Sequence, residues 1–323
     1  MDGPVDEWAQ AMRLLFPGSE LSPPDRRAFE ALDSAAAVAA GPHPAVTAPE
    51  PGRAVDQDRL PPPGADLDEL SPAALGIVPE VVERIRRITL LCGLPFAAVA
   101  RDPGLSLMPE YGLPGTVAFG YHPSRRLDEV TGSLEGELGP AMPLWEALVG
   151  GMGLRLLPAL LRAGGLDVRP GWPGGEELIW GLAGPLALPA PLGPPLPAGA
   201  TALAAAPGAA PAVDPRVTAR VRQLARLCTL PFAGEPDAAG IRLAPARAHG
   251  DRAAVDYLAP RALRDAAAVD PGGAAATLLA VLEETTGELL LALLAAAGLD
   301  VRRDRQTQEL VVHGITGPPP LCP

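Results

Sequence analysis

The 323-residue sequence contains no lysine and no asparagine, and all 26 of its basic side chains are arginine. The missing lysine closes off Schiff-base chemistry and the phosphate-gripping lysine of a P-loop. Cysteine is nearly absent too. Cys92, Cys228 and Cys322 lie far apart with no CxxC, so neither a zinc ribbon nor a disulfide framework is written here, and the sparse count suits a reducing compartment. Aromatics make up only 4%, which leaves Leu, Val and Ala to build any core. No uninterrupted apolar run reaches the roughly 18–20 residues of a membrane span. The nearest approach, 277–299, is broken by Glu283, Glu284 and Glu288. The acidic start MDGPVDEW lacks the basic and apolar regions of a secretory signal, so a soluble, cytoplasmic protein is expected. A net charge of −12 disfavours a whole-molecule polyanion binder.

What is present is an internal repeat. Residues 79–97, PEVVERIRRITLLCGLPFA, and 215–233, PRVTARVRQLARLCTLPFA, share ten of nineteen positions without a gap, at the 136-residue spacing that separates Cys92 from Cys228. After a three-residue deletion the spacing is 133, where ALLRAGGLDVR (159–169) matches ALLAAAGLDVR (292–302). An Ala/Leu-rich composition would not keep Pro, Cys, Asp, Arg and Gly in step, so a tandem duplication is expected. Two modules follow, 79–185 and 215–318. Residues 186–214 between them are Pro/Ala/Gly-rich, as a semi-extended linker would be. Residues 34–78 read as a second unstructured Pro/Ala-rich segment, and 1–33 as two short helices.

Within a module, Val81, Ile85, Ile88 and Leu91 recur at helical spacing, and Val217, Val221, Leu224 and Leu227 repeat them. Pro95 and Pro231 end that helix. Alternating Leu105/Leu107 and Val117/Phe119/Tyr121 predict strands. A Leu-rich helix over about 143–163 or 275–297 follows, and then two strands around a polar turn. The expected unit is α-β-β-α-β-β, an α+β fold.

Candidates for chemistry are few. Cys92 and Cys228 fall on the apolar face of the first helix, and no histidine sits at matching places to serve both, which predicts buried core thiols. His313 takes the place of Trp180, a substitution better suited to an amphipathic strand than to a ligand. No HExxH, GxSxG, G-x-G-x-x-G or EF-hand spacing occurs, so no catalytic, cofactor-binding or metal-binding residue is expected. The Gly150–Gly153 run predicts a helix kink or a tight helix contact. Arg84/Arg220, Arg86/Arg222, Arg125/Arg261, Asp167/Asp300 and Arg169/Arg302 are shared by both copies. They read as an internal network, for instance Asp167 accepting from a helix arginine.

Two features point outward. In 6–16, Trp8, Met12, Leu15 and Phe16 share one face of a helix too short to persist alone in water, so it should dock in a groove of a partner or of these modules. The Leu-rich helices also carry more apolar residues than one face needs, which marks a contact between the modules or with a second chain. The reading is a non-enzymatic interaction protein, an adaptor or chaperone-like chain whose modules pair with each other or homodimerise. In layout alone it is similar to the small acidic chaperones of type III secretion, with no motif carrying the likeness. The alternative is tandem winged-helix nucleic-acid binding, with Arg302, Arg303 and Arg305 at a wing tip.

Overall fold

Proline at the first helical position opens the first helix of each half, and a left-handed residue, Gly93 or Thr229, closes the turn at its end. Helix α1 (Pro79–Cys92) starts on Pro79 and stops at Gly93, whose φ is 70°. Helix α4 (Pro215–Leu227) is capped by Asp214, whose carboxylate accepts from the Arg216 amide at 2.8 Å. The computed structural model describes residues 54–62, 65–132, 141–171, 175–184, 188–189, 213–234, 238–250 and 252–318. The expected helices of 1–33 lie outside these residues.

After α1 come β1 (Gly104–Pro109), β2 (Val117–His122), α2 (Arg125–Gly132), α3 (Met142–Ala163), β3 (Leu166–Pro170) and β4 (Glu177–Leu182). After α4 come β5 (Gly240–Pro245), β6 (Ala253–Leu258), α5 (Arg261–Val269), α6 (Ala274–Ala296), β7 (Leu299–Arg303) and β8 (Leu310–Ile315). The result is a mixed α/β fold with two four-stranded antiparallel sheets, ordered β1-β2-β4-β3 and β5-β6-β8-β7. The registers correspond as well. Leu105 faces Tyr121 as Ile241 faces Tyr257, and a bulge falls at Asp167/Val168 and again at Asp300/Val301.

The LPFA sequence after each first helix has a definite task. The Pro95 carbonyl accepts from the Leu105 amide (3.0 Å), and the Ala97 amide donates to the Leu105 carbonyl (2.8 Å), forming a short parallel bridge at the sheet edge. Pro231, Ala233 and Ile241 repeat this at 2.8 and 2.9 Å. The preceding arginine stacks on the phenylalanine, Arg86 on Phe96 at 5.4 Å and Arg222 on Phe232 at 5.3 Å.

Three expectations need correction. The unit is α-β-β-α-α-β-β, because α2 and α5 were not foreseen. Only Leu127 of α2, and Leu263 and Ala267 of α5, are among the buried apolar residues, too few to set a helical period. The segment 34–78 is not unstructured throughout. Val55 bridges Ile77, the Val78 amide donates to Ala54, and Ala54, Val55, Leu75 and Ile77 are buried. A Pro/Asp-rich average hid these few well-placed apolar residues. Finally, the start of the 186–214 linker is held: Leu188 is buried, and Arg87 donates to the carbonyls of Leu188 and Pro189.

Helix α3 is long and apolar enough to cross a bilayer by length and composition. Here its Leu144, Leu148, Met152, Leu156, Leu157, Leu160 and Leu161 are buried in the core. Pro158 has no amide hydrogen and its ring clashes with the preceding turn, so Met152–Leu156 opens into a π turn, with Leu157 N bonded to the Met152 carbonyl. The corresponding Leu291 leaves α6 regular. One continuous apolar cluster runs through both halves, from Ala54 to Val312.

Candidate functional site

The contact between the halves is built from the ends of α1 and α4, the strands β2 and β6, and the helices α3 and α6. Tyr121 ends the buried face of β2, and its hydroxyl donates to the Thr229 carbonyl at 3.0 Å. Tyr257 ends that of β6 and donates to the carbonyls of Cys92 (2.9 Å) and Gly93 (3.2 Å). Gly93 and Thr229 occupy corresponding positions, so each half sends a tyrosine to the same helix end of the other. Both tyrosines are buried, 4% and 9% exposed, and burial foremost raises their hydroxyl pKa values. They therefore act as neutral donors. The Ser124 amide adds a bond to Leu227 (2.9 Å). Its counterpart, Pro260, has no amide hydrogen to return one.

Thr229 holds φ 55°, a left-handed conformation that a β-branched residue rarely adopts. The corresponding residue in the first half is Gly93, for which the conformation is unstrained. Thr229→Gly is expected to stabilise the chain by about 1 kcal/mol, the net of relieved strain and added unfolded-state entropy. Thermal melting checks this; a lower Tm would show that the Thr229 side chain matters more than its backbone.

Cys92 and Cys228 lie wholly buried just before these turns. Burial pushes the Cys92 thiol up to about 12 and the Cys228 thiol higher still, so neither forms a thiolate nucleophile near neutrality. Most of the polar residues common to both halves are engaged within their own half. Arg84 donates to the Gly164 carbonyl (3.3 Å), and Arg220 to those of Ala297 (2.8 Å) and Gly317 (3.2 Å), closing the ends of α3 and α6. Asp167 accepts in bidentate geometry from Arg169, its neighbour along the strand (2.7 and 2.5 Å), and not from a helix arginine as expected. Asp300 and Arg302 do the same at 3.1 Å. Arg261 pairs with Asp265 at 3.2 Å.

The outer faces of the two sheets differ. Where the second sheet has the Arg242–Asp256 ion pair (2.5 Å), the first has Ser106 and Gly120. Where the second has His313, bonded through Nδ1 to Arg252 (2.6 Å), the first has buried Trp180 beneath the Arg169 guanidinium (5.2 Å). Partial burial and the nearby Arg252 and Arg302 charges hold the His313 pKa below its ordinary value. His249 lies 3.7 Å from Asp304. Among the described residues, no three His, Cys, Asp or Glu side chains group as metal ligands. A recess beside Val55, Leu60, Pro109, Tyr111 and Thr116 holds only about 40 Å³, far below the roughly 300 Å³ where ligand pockets begin.

The sequence-predicted partner residues Trp8, Met12, Leu15 and Phe16 lie outside the described residues. The sequence reading missed Tyr121 and Tyr257 as cross-contacts, although both stand in register in the repeat. It missed Arg155 and Glu288 as well, which meet at 2.5 Å between α3 and α6. No family model matches the chain, and no curated protein or solved structure is similar enough to it to count as a relative.

Proposed function

We propose that this chain is a non-enzymatic protein–protein interaction protein, an adaptor or chaperone-like molecule of the cytoplasm, whose two modules arose by tandem duplication. One observation carries the reading. Most of the reactive or charged side chains that the two halves share are buried or committed to internal bonds. The thiols are sealed in the core, Arg84 and Arg220 close helix ends, and the Asp167 and Asp300 carboxylates hold their neighbouring arginines. What was kept in both copies thus serves the scaffold. The amphipathic 6–16 segment, with Trp8, Met12, Leu15 and Phe16 on one face, is then the partner-binding element, seated in a groove of another protein.

The nucleic-acid alternative has less behind it. Strands β7 and β8 belong to a four-stranded sheet, and the Arg302 guanidinium is held by Asp300. Affinity capture with the full chain tests the proposal against a chain lacking residues 1–20 and against the Trp8→Ala/Phe16→Ala double variant. A partner retained by the full chain and lost by both variants is expected. The same partners recovered with all three would overturn the assignment to this segment.

A further inference from the structure

The contact between the halves has the form of a two-fold pairing. In such pairing one patch meets the same patch of its mate, and a residue near the axis meets its own counterpart. Tyr121 reaching Thr229 and Tyr257 reaching Gly93 are the reciprocal contacts. Arg155 and Glu288 are counterparts, related by the 133-residue spacing that relates Leu160 to Leu293. They touch each other at 2.5 Å, so they mark the axis. By shape alone, a half with this surface could pair with a second copy of itself as well as with the other half.

Two features of the axis break that tie. The first is charge. Opposite halves set Arg155 against Glu288, whereas like halves would set arginine against arginine or glutamate against glutamate. The second is volume. Leu289 Cδ1 lies only 2.5 Å from where a Cβ on Gly151 would be, so α6 comes this close to α3 because Gly151 has no side chain. The counterpart of Gly151 is Glu284. Pairing two second halves would drive Leu289 against that glutamate, and pairing two first halves would set Leu156, the counterpart of Leu289, over an empty glycine.

We propose that this interface is selective for the opposite half, from the same chain or from a second copy, with Arg155–Glu288 and Gly151–Leu289 as its specificity determinants. The inference does not depend on the functional proposal above. The test uses the whole folded chain with a protease site placed between residues 195 and 205. After cleavage, native mass spectrometry counts paired halves, and mixing with isotope-labelled nicked protein reports exchange. The expected result is one first half bound to one second half, with partners exchanging between labelled and unlabelled protein. Arg155 and Glu288 are largely exposed (68% and 62%), so charge variants there leave the fold intact. Arg155→Glu and Glu288→Arg should each weaken the opposite-half complex about two- to fivefold, as loss of an exposed ion pair does. The combined Arg155→Glu/Glu288→Arg chain should recover it. Like pairs as abundant as opposite pairs in the wild-type protein, separation into single halves, or no recovery in the combined variant would overturn the proposal.

Discussion

Leu160→Asp and Leu293→Asp are each expected to abolish the folded state, whereas Leu154→Asp on the same helix leaves it almost untouched. Leu160 and Leu293 are 1% and 0% exposed and belong to the cluster that runs through both halves, while Leu154 is 76% exposed. An unpaired carboxyl in an apolar core costs several kcal/mol, charged or forced neutral, and about 2 kcal/mol of leucine burial is lost besides. Together these approach the roughly 5–15 kcal/mol that holds a typical domain folded. At position 154 the same substitution stays within about 0.5 kcal/mol. Because the core is continuous, a lesion in one half should unfold both. Circular dichroism melting of the three variants checks this. A Leu160→Asp chain melting within a few degrees of the wild type would contradict the placement of α3.

Gly240→Ala carries the second large effect, through backbone geometry. Gly240 has φ +124°, a region side-chain-bearing residues rarely enter, and a Cβ there would sit 2.4 Å from the Pro231 carbonyl oxygen. The alanine must either hold this strained conformation or push away the 231–233 segment. The second course breaks the bonds from Ile241 to Pro231 (2.8 Å) and from Ala233 to Ile241 (2.9 Å). Strain of roughly 1–3 kcal/mol by the first course, or about 1 kcal/mol for each of the two lost hydrogen bonds by the second, predicts a loss of about 2 kcal/mol. Gly104→Ala should act in the same direction but less, since its Cβ would lie 2.8 Å from the Pro95 oxygen. Gly184→Ala, with no atom within 4 Å of its Cβ, serves as the neutral control. Chemical denaturation gives all three values, and equal stability of the Gly240→Ala and Gly184→Ala chains would refute the argument.

Local rules made much of this fold readable. Pro79 and Pro215 start helices, Gly93 ends one, and Val81, Ile85, Ile88 and Leu91 mark a buried face that the structure bears out. The alternation at Val117, Phe119 and Tyr121 is that of β2, with Val117 and Tyr121 buried. The glycine run at 150–153, read as a helix kink or a tight helix contact, is where Leu289 makes its close approach to α3 at Gly151. What escaped reading depends on partners distant in sequence. Helix α2 carries little apolar signal because only Leu127 and the half-buried Val130 meet the core. Residues Ala54, Val55, Leu75 and Ile77 sit in a composition that averages to a spacer, yet Val55 and Ile77 pair across more than twenty residues. The tyrosine hydroxyls find their acceptors about 108 and 165 residues away, on a helix end whose position no local pattern records. Charge pairing was misread for the opposite reason: the partner of Asp167 is two residues away on its own strand, closer than the helix arginine expected for it.

With one core running through both halves, the chain should fold as one cooperative unit. Scanning calorimetry of the full chain tests it most directly, by comparing the heat absorbed with the sharpness of the transition. A single transition is expected, with agreeing calorimetric and van't Hoff enthalpies, shifted as a whole by Thr229→Gly. Two resolved transitions, only one of which moves in that variant, would contradict it.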